Sequence, residues 1–167
     1  MNARCYEREA ADVVRDVQLL EDGKLENVRP QRDQFSYKKS PFQERDCLIL
    51  NVSFLLQKKE QIIIKKEMDE HRNDRELKGH YRFPSAGSVF KNNREFGKPT
   101  GQIIDEMGLK GLSVGDAQIA PWHGNFIINK GKASSDHIKS LVEIIEGRAR
   151  TELGIELERE ILFVGNF

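Results

Sequence analysis

The chain has 167 residues, room for one domain or two small ones. Its 27 basic and 27 acidic residues cancel, which argues against a nucleic-acid binder, whose basic excess gathers on one face. No apolar run approaches the roughly 20 residues that span a bilayer, and residues 1–7 lack the apolar stretch of a signal peptide.

Residues 13–20 are rich in β-branched and aliphatic side chains, and residues 24–28 resume a strand-like pattern. Asp22-Gly23 between them predicts a hairpin, because both central residues of such a turn need positive φ. Residues 29–44 are polar, hold Pro30 and Pro41, and read mostly as loop. Residues 47–56 (CLILNVSFLL) predict a buried strand, with Cys47 as a core residue. The other cysteine is Cys5. Two cysteines without partners at metal spacing indicate neither a disulfide framework nor a metal site, and suit a reduced, cytoplasmic compartment.

Residues 60–77 are charged, with Ile62, Ile63 and Met68 on a loose helical period, which predicts a helix. Gly79, Pro84 and Gly87 break it. Residues 100–107 read as a short helix closed by Gly108. Residues 112–129 predict strands around a turn at Pro121. Ser134-Ser135-Asp136 offers capping side chains to a helix whose apolar positions Ile138, Leu141, Val142, Ile145 and Ala149 share one face, with Gly154 at its end. Residues 155–164 partly alternate and predict a final strand. Mixed helices and strands without a β-α-β repeat predict an α+β fold.

The loop Ser85-Ala86-Gly87-Ser88-Val89-Phe90-Lys91-Asn92 is the first place to look for chemistry. Glycine at 87 permits a close backbone approach or a left-handed angle. Ser88 would then present its hydroxyl from a tight turn, with Lys91 and Asn92 close behind. Residue chemistry alone reads the segment as a turn with a capping serine, because Ser and Gly dominate ordinary turns. No neighbouring histidine or set of triad partners suggests a nucleophilic serine.

The same loop closely resembles the signature of the UDP-N-acetylenolpyruvoylglucosamine reductases, and further matches follow in order. Phe35-Ser36-Tyr37-Lys38-Lys39-Ser40-Pro41-Phe42 resembles the family's F-x-Y-R-x-S-x-F, and Arg75-Glu76-Leu77-Lys78 its R-x-x-K pair. Gly101-Gln102-Ile103-Ile104-Asp105 with Gly108-Leu109-Lys110-Gly111 resembles L-I-D-x-x-G-L-K-G. His123-Gly124-Asn125-Phe126-Ile127-Ile128-Asn129 resembles H-A-x-F-I-V-N, and residues 154–165 resemble the closing G-I-x-L-x-x-E-V-x-x-x-G. The direct run from Lys78 to Ser88 resembles the family's second type, which lacks an inserted tyrosine loop.

The resemblance implies a flavoenzyme. FAD, reduced by NADPH, would reduce UDP-N-acetylglucosamine enolpyruvate to UDP-N-acetylmuramate for peptidoglycan. It implies catalytic roles for Ser88 (proton donor), Glu160 and Lys38. It implies flavin contacts for Arg75 and Tyr37, and substrate contacts for Lys78, Asn92 and His123. It further implies that residues 1–78 are part of an FAD-binding domain, that residues 79–154 are a small α/β substrate-binding domain, and that residues 155–167 return as a strand to the flavin side. Lys38 stands where the family has arginine, which keeps the charge but loses the bidentate fork. Arg4 and Glu7 replace glycines of an M-N-A-G-A-Y-G segment, and Asn93 replaces a proline.

By the same resemblance an N-terminal region, with a Gly-rich loop around the FAD pyrophosphate, lies outside these residues and is a candidate partner. The expectation is an incomplete form: a fragment, a frame opened at an internal Met codon, or a natural truncation. The alternative is a UDP-sugar-binding module that carries no flavin. Neither nucleic acid nor membrane is an expected partner.

Overall fold

The computed structural model describes residues 1–165. Helices and antiparallel sheets mix in an α+β arrangement. The contacts divide the chain into two compact units, residues 1–61 and residues 62 onward, so the long charged helix falls with the second unit rather than the first.

The first unit opens with a two-residue hairpin, β1 (Arg4–Cys5) and β2 (Arg8–Glu9), turned through Tyr6 and Glu7, whose φ values are 47° and 64°. Left-handed backbone costs a non-glycine residue roughly 1–2 kcal/mol, and Glu7 is one of the positions where the resembled segment carries glycine. Next come β3 (Val14–Glu21), β4 (Lys24–Val28) and β5 (Cys47–Phe54) in the order β4-β3-β5, all antiparallel. The β3–β4 turn is the expected one, with φ of 50° at Asp22 and 72° at Gly23. Val17 and Leu19, two apart on β3, are buried.

Strand β5 corrects the expectation of burial. It forms and pairs with β3 along its length, yet Leu48, Ile49 and Leu50 are exposed and Cys47 is only half-buried. An apolar run states what a strand can bury. It does not supply the layer that would cover it.

In the second unit, α1 (Gln61–Leu77) is the expected helix, but it buries none of its residues. Pairs four residues apart, Arg72–Glu76 at 3.0 Å and Asp74–Lys78 at 2.8 Å, line its exposed surface. Strands β6 (Ser85–Ser88), β7 (Ser113–Val114), β8 (Ala117–Ile119) and β9 (Phe126–Asn129) make an antiparallel sheet in the order β6-β9-β8-β7. The stretch 112–129 thus holds three short strands and two turns, at Gly115 and around Pro121. Helices α2 (Thr100–Glu106) and α3 (Ser135–Leu153) contribute Ile103, Ile104, Leu141, Val142, Ile145 and Ala149 to the main core. Strand β9 sorts its side chains by alternation. Ile127 joins that core, while Phe126 and Ile128 form a second cluster with Ala120 and Trp122.

The expected final strand over 155–164 is absent. That segment is irregular, with one isolated bridge between Phe90 and Arg159. Ile155, Leu157, Ile161 and Phe163 pack against the second unit's core, so packing accounts for the partial alternation without a ladder. Residues 166 and 167 of that expected element lie outside the described residues. No helix among the described residues is long and apolar enough to cross a membrane.

Candidate functional site

The signature loop becomes strand β6. It pairs Ser85 with Ile128 and Ser88 with Phe126, with an irregularity between them. Gly87 sits in that irregularity at φ 82°, with open space where a Cβ would stand. The backbone angle, not crowding, requires glycine there.

Beyond Ser88 the chain is fastened on two sides. The Val89 N–H donates to the Asn125 carbonyl at 2.9 Å. The Asn125 side chain brackets Phe90, its Oδ1 accepting from Phe90 N–H at 2.9 Å and its Nδ2 donating to the Phe90 carbonyl at 2.8 Å. On the other side Glu160 N–H donates to the Val89 carbonyl at 2.8 Å, and Lys91 N–H to the Glu158 carbonyl at 2.8 Å. Asn92 Oδ1 accepts from Thr100 N–H at 2.9 Å, and the Thr100 hydroxyl donates to the Lys91 carbonyl at 2.8 Å. Asn92 thus serves the start of α2, where backbone N–H groups lack intrahelical acceptors.

Ser88, Asn92 and His123 line one open cavity of about 310 Å³, with Gln102, Asp105, Lys110, Trp122 and Asn125 among its other walls. Lys110 pairs with Asp105 at 2.7 Å at its edge. His123 accepts the Asn125 N–H at its Nδ1, 3.2 Å away. Its remaining ring nitrogen is therefore a donor when the ring is neutral. Burial holds the His123 pKa below the ordinary 6.5. A backbone hydrogen bond opposes that shift, and the Lys110 charge adds to it. A neutral donor, a cation and an amide-bearing wall suit a polar, anionic small molecule. Trp122, the single tryptophan, has its Nε1 buried with no acceptor among the described residues, and Phe83 is stacked nearby at 6.2 Å.

The other residues implicated by resemblance lie elsewhere. Glu160 is half-buried and does not line the cavity. Its backbone sits against Val89, next in the chain to Ser88. Lys78 lies at the end of α1, paired with Asp74, and Arg75 Nη1 stands 3.1 Å from His80 Nδ1. Tyr37 and Lys38 belong to the first unit, where they form the centre of a two-residue turn between Ser36 and Lys39, with Lys38 at φ 59°. Buried Asn2 pins that turn, donating to the Ser36 carbonyl at 3.2 Å and accepting from Ala11 N–H at 3.1 Å.

The sequence reading quoted Asn2 and Asn125 within motifs but gave neither a role. Asn2 reaches Ser36, 34 residues away, and Asn125 reaches Phe90, 35 away, beyond any local signal. No group of three or more His, Cys, Asp or Glu side chains among the described residues is arranged for a metal ion.

A flavin nucleotide needs both a ring site and a diphosphate site. Tyr37, in the first unit, is an aromatic ring and Arg75, in the second, a donor, each of a kind that a flavin ring takes. The positive-φ glycines among the described residues stand singly, never as neighbours, so they form no Gly-rich run of successive inward N–H groups to cradle a diphosphate. The described glycines thus supply no cradle for the cofactor's diphosphate.

A serine-bearing strand end, a neutral histidine and a cation around one polar cavity define a small-molecule site carried on an antiparallel sheet. The model of the UDP-N-acetylenolpyruvoylglucosamine reductase C-terminal domain matches residues 79–164, just over half of the chain. The chain belongs to the UDP-N-acetylenolpyruvoylglucosamine reductase family.

It is 43% identical over 166 residues to the protein of that name from Borrelia garinii subsp. bavariensis, covering 99% of this chain and 54% of the relative. The Treponema denticola protein is 42% identical over 182 residues, covering 100% of this chain and 56% of the relative. The crystal structure of UDP-N-acetylenolpyruvylglucosamine reductase (MurB) from Thermus caldophilus superposes with a TM-score of 0.74 at 34% identity. The match covers 96% of this chain and 57% of that one. The chain spans about half the length of the curated relatives it matches.

Proposed function

We propose that this chain carries the substrate-side half of a flavin-dependent reductase that converts UDP-N-acetylglucosamine enolpyruvate to UDP-N-acetylmuramate in the cytoplasm, for peptidoglycan. The observation that supports it is the cavity lined by Ser88, Asn92 and His123, within the residues that match the reductase C-terminal domain. When bound, FAD reduced by NADPH would supply the hydride that the enolpyruvyl carbon β to the carboxylate takes up.

The chain's own residues do the rest. Negative charge builds on the substrate as an enolate and needs stabilising. Ser88 donates its hydroxyl proton to the α carbon, completing the saturated product, and regains a proton from solvent. Glu160 shares a proton with the substrate carboxylate, since two bare carboxylates repel. Lys38 offers that carboxylate a point charge. Lys78, Asn92 and the His123 N–H take the diphosphate and sugar side. Arg75 and Tyr37 meet the flavin ring. By the resemblance, the flavin diphosphate would then fall to a region of the family outside these residues. The second reading is a UDP-sugar-binding module without flavin.

The test is to mix the purified chain with FAD, desalt it, and titrate it with substrate while following Trp122 fluorescence. A yellow protein that consumes NADPH in step with the sugar supports the reductase reading. A colourless protein whose fluorescence still responds to the sugar leaves only the sugar-side role for these residues, and one that responds to neither FAD nor sugar sinks the reading. In a preparation that turns over, Ser88→Ala should leave flavin reduction by NADPH intact. It should slow reoxidation by substrate by roughly 10²–10⁴-fold, the range for a positioned proton donor. Equal slowing of both half-reactions overturns the proton-donor role.

A further inference from the structure

His80 has no part in the proposal above, yet the fold aims it at a residue that does. Helix α1 ends at Leu77, and the chain turns back through Gly79 at φ 76°. A Cβ at residue 79 would stand 2.7 Å from Trp122 Nε1, so only glycine fits both the angle and the space. The turn returns His80 to the last turn of the helix, where its N–H donates to the Arg75 carbonyl at 3.0 Å. There its ring Nδ1 stands 3.1 Å from Arg75 Nη1.

A guanidinium can only donate, so this contact assigns the proton state. For the contact to be a hydrogen bond, Nδ1 must be bare and the proton of the neutral ring must sit on Nε2. The ring is itself held. It stands edge-on to Phe126 at 4.9 Å and 86°, and to His123 at 6.2 Å and 74°. A long, flexible arginine is thereby tied to a ring clamped against the sheet.

We propose that His80 is a positioning residue for Arg75: its neutral Nδ1 holds the guanidinium in one orientation, and the imidazolium form releases it. This rests on the reading of Arg75 as a flavin contact. The groups that face His80 are Arg75, Lys78 and Asp74 from α1, and His123 and Phe126 from the sheet side. Burial, then the charge of Arg75, then His123 and Lys78 hold its pKa below the ordinary 6.5, against the opposing charge of Asp74. The hold is therefore intact at neutral pH and is lost as pH falls through that lowered pKa, on the acid side of 6.5.

Two variants test it. His80→Ala removes the acceptor. His80→Asn keeps an acceptor oxygen near the Nδ1 position and cannot titrate. The readouts are the Arg75 Nε–H resonance by NMR and the affinity for FAD as a function of pH.

The resonance should shift in His80→Ala at pH 7.5 and return in His80→Asn. FAD affinity should fall on the order of tenfold in His80→Ala, the scale of one charge-assisted hydrogen bond. It should weaken below pH 6.5 in the native chain and stay level with pH in His80→Asn. An Arg75 resonance unmoved in His80→Ala overturns the proposal, as does a His80→Asn chain that keeps the native pH dependence. If no variant binds FAD while the resonance shifts and returns as stated, the positioning contact is upheld and only the flavin role of Arg75 fails.

Discussion

Asn125 decides more about the cavity than its place in a turn suggests. Its side chain satisfies both backbone groups of Phe90, its carbonyl takes the Val89 N–H, and its own N–H orients His123. Substitution by alanine leaves two buried backbone groups without partners, at about 1–3 kcal/mol each. Asn125→Ala should therefore lower stability by about 2–4 kcal/mol, read as a lower urea midpoint at unchanged slope. If it folds, substrate binding followed by Trp122 fluorescence should weaken as well. A change under about 1 kcal/mol would mean that Phe90 finds other partners.

Ser88 and His123 could be singled out in the sequence because a motif carries them. Asn125 and His80 could not. An asparagine or histidine beside a glycine is ordinary turn chemistry until the partner across the fold is known. Glu160 was named from the sequence, and the structure sets its backbone beside Val89 while leaving its side chain off the cavity wall.

Among the elements, α3 was the most legible. Its buried face follows the expected spacing, and Gly154 takes φ 67° at its end. Ser134 caps it as expected, with Oγ accepting from His137 N–H at 3.2 Å. The return bond comes from an unexpected residue. The His137 ring Nδ1 accepts the Ser134 N–H at 3.3 Å, where the usual sequence signal is a Glu or Gln. Ser134→Ala should cost about 1 kcal/mol, measured as a shift in urea midpoint. A loss below about 0.3 kcal/mol would show that water replaces the cap.

Residues 155–164 failed as a strand for a different reason. Alternating apolar residues on an irregular segment can pack one side into a core without finding a neighbour to pair with. Here Lys91 and Glu160 supply the main backbone bonds to the β6 side.

At the scale of the whole molecule, the two units differ in how they use their apolar residues. Outside α1, the second unit buries much of its apolar surface in a core of sheet and helices, while Ile62, Met68 and Leu77 of α1 stay exposed. The first leaves much of β5 in solvent, with Leu48 at 60% and Leu50 at 47% exposure. Contiguous exposed apolar surface promotes association. Leu48→Lys with Leu50→Lys should leave unfolding within about 0.5 kcal/mol of the native chain while reducing self-association and hydrophobic-dye binding. A loss of several kcal/mol would show that these side chains are buried in solution.

The sequence by itself determined the local features. These are the Asp22-Gly23 hairpin, the span and buried face of α3, the left-handed glycine before Ser88, and the family. The first three depend on residues within a few positions of one another, through backbone angles, periodicity and capping, and the family on a resemblance of motifs in order along the chain. Only the tertiary structure decided which apolar runs are covered, that the closing segment packs without pairing, and that Asn125 and His80 brace the residues that matter. Burial and long-range hydrogen bonds depend on what the fold brings opposite a side chain, and for Asn125 that partner stands 35 residues away.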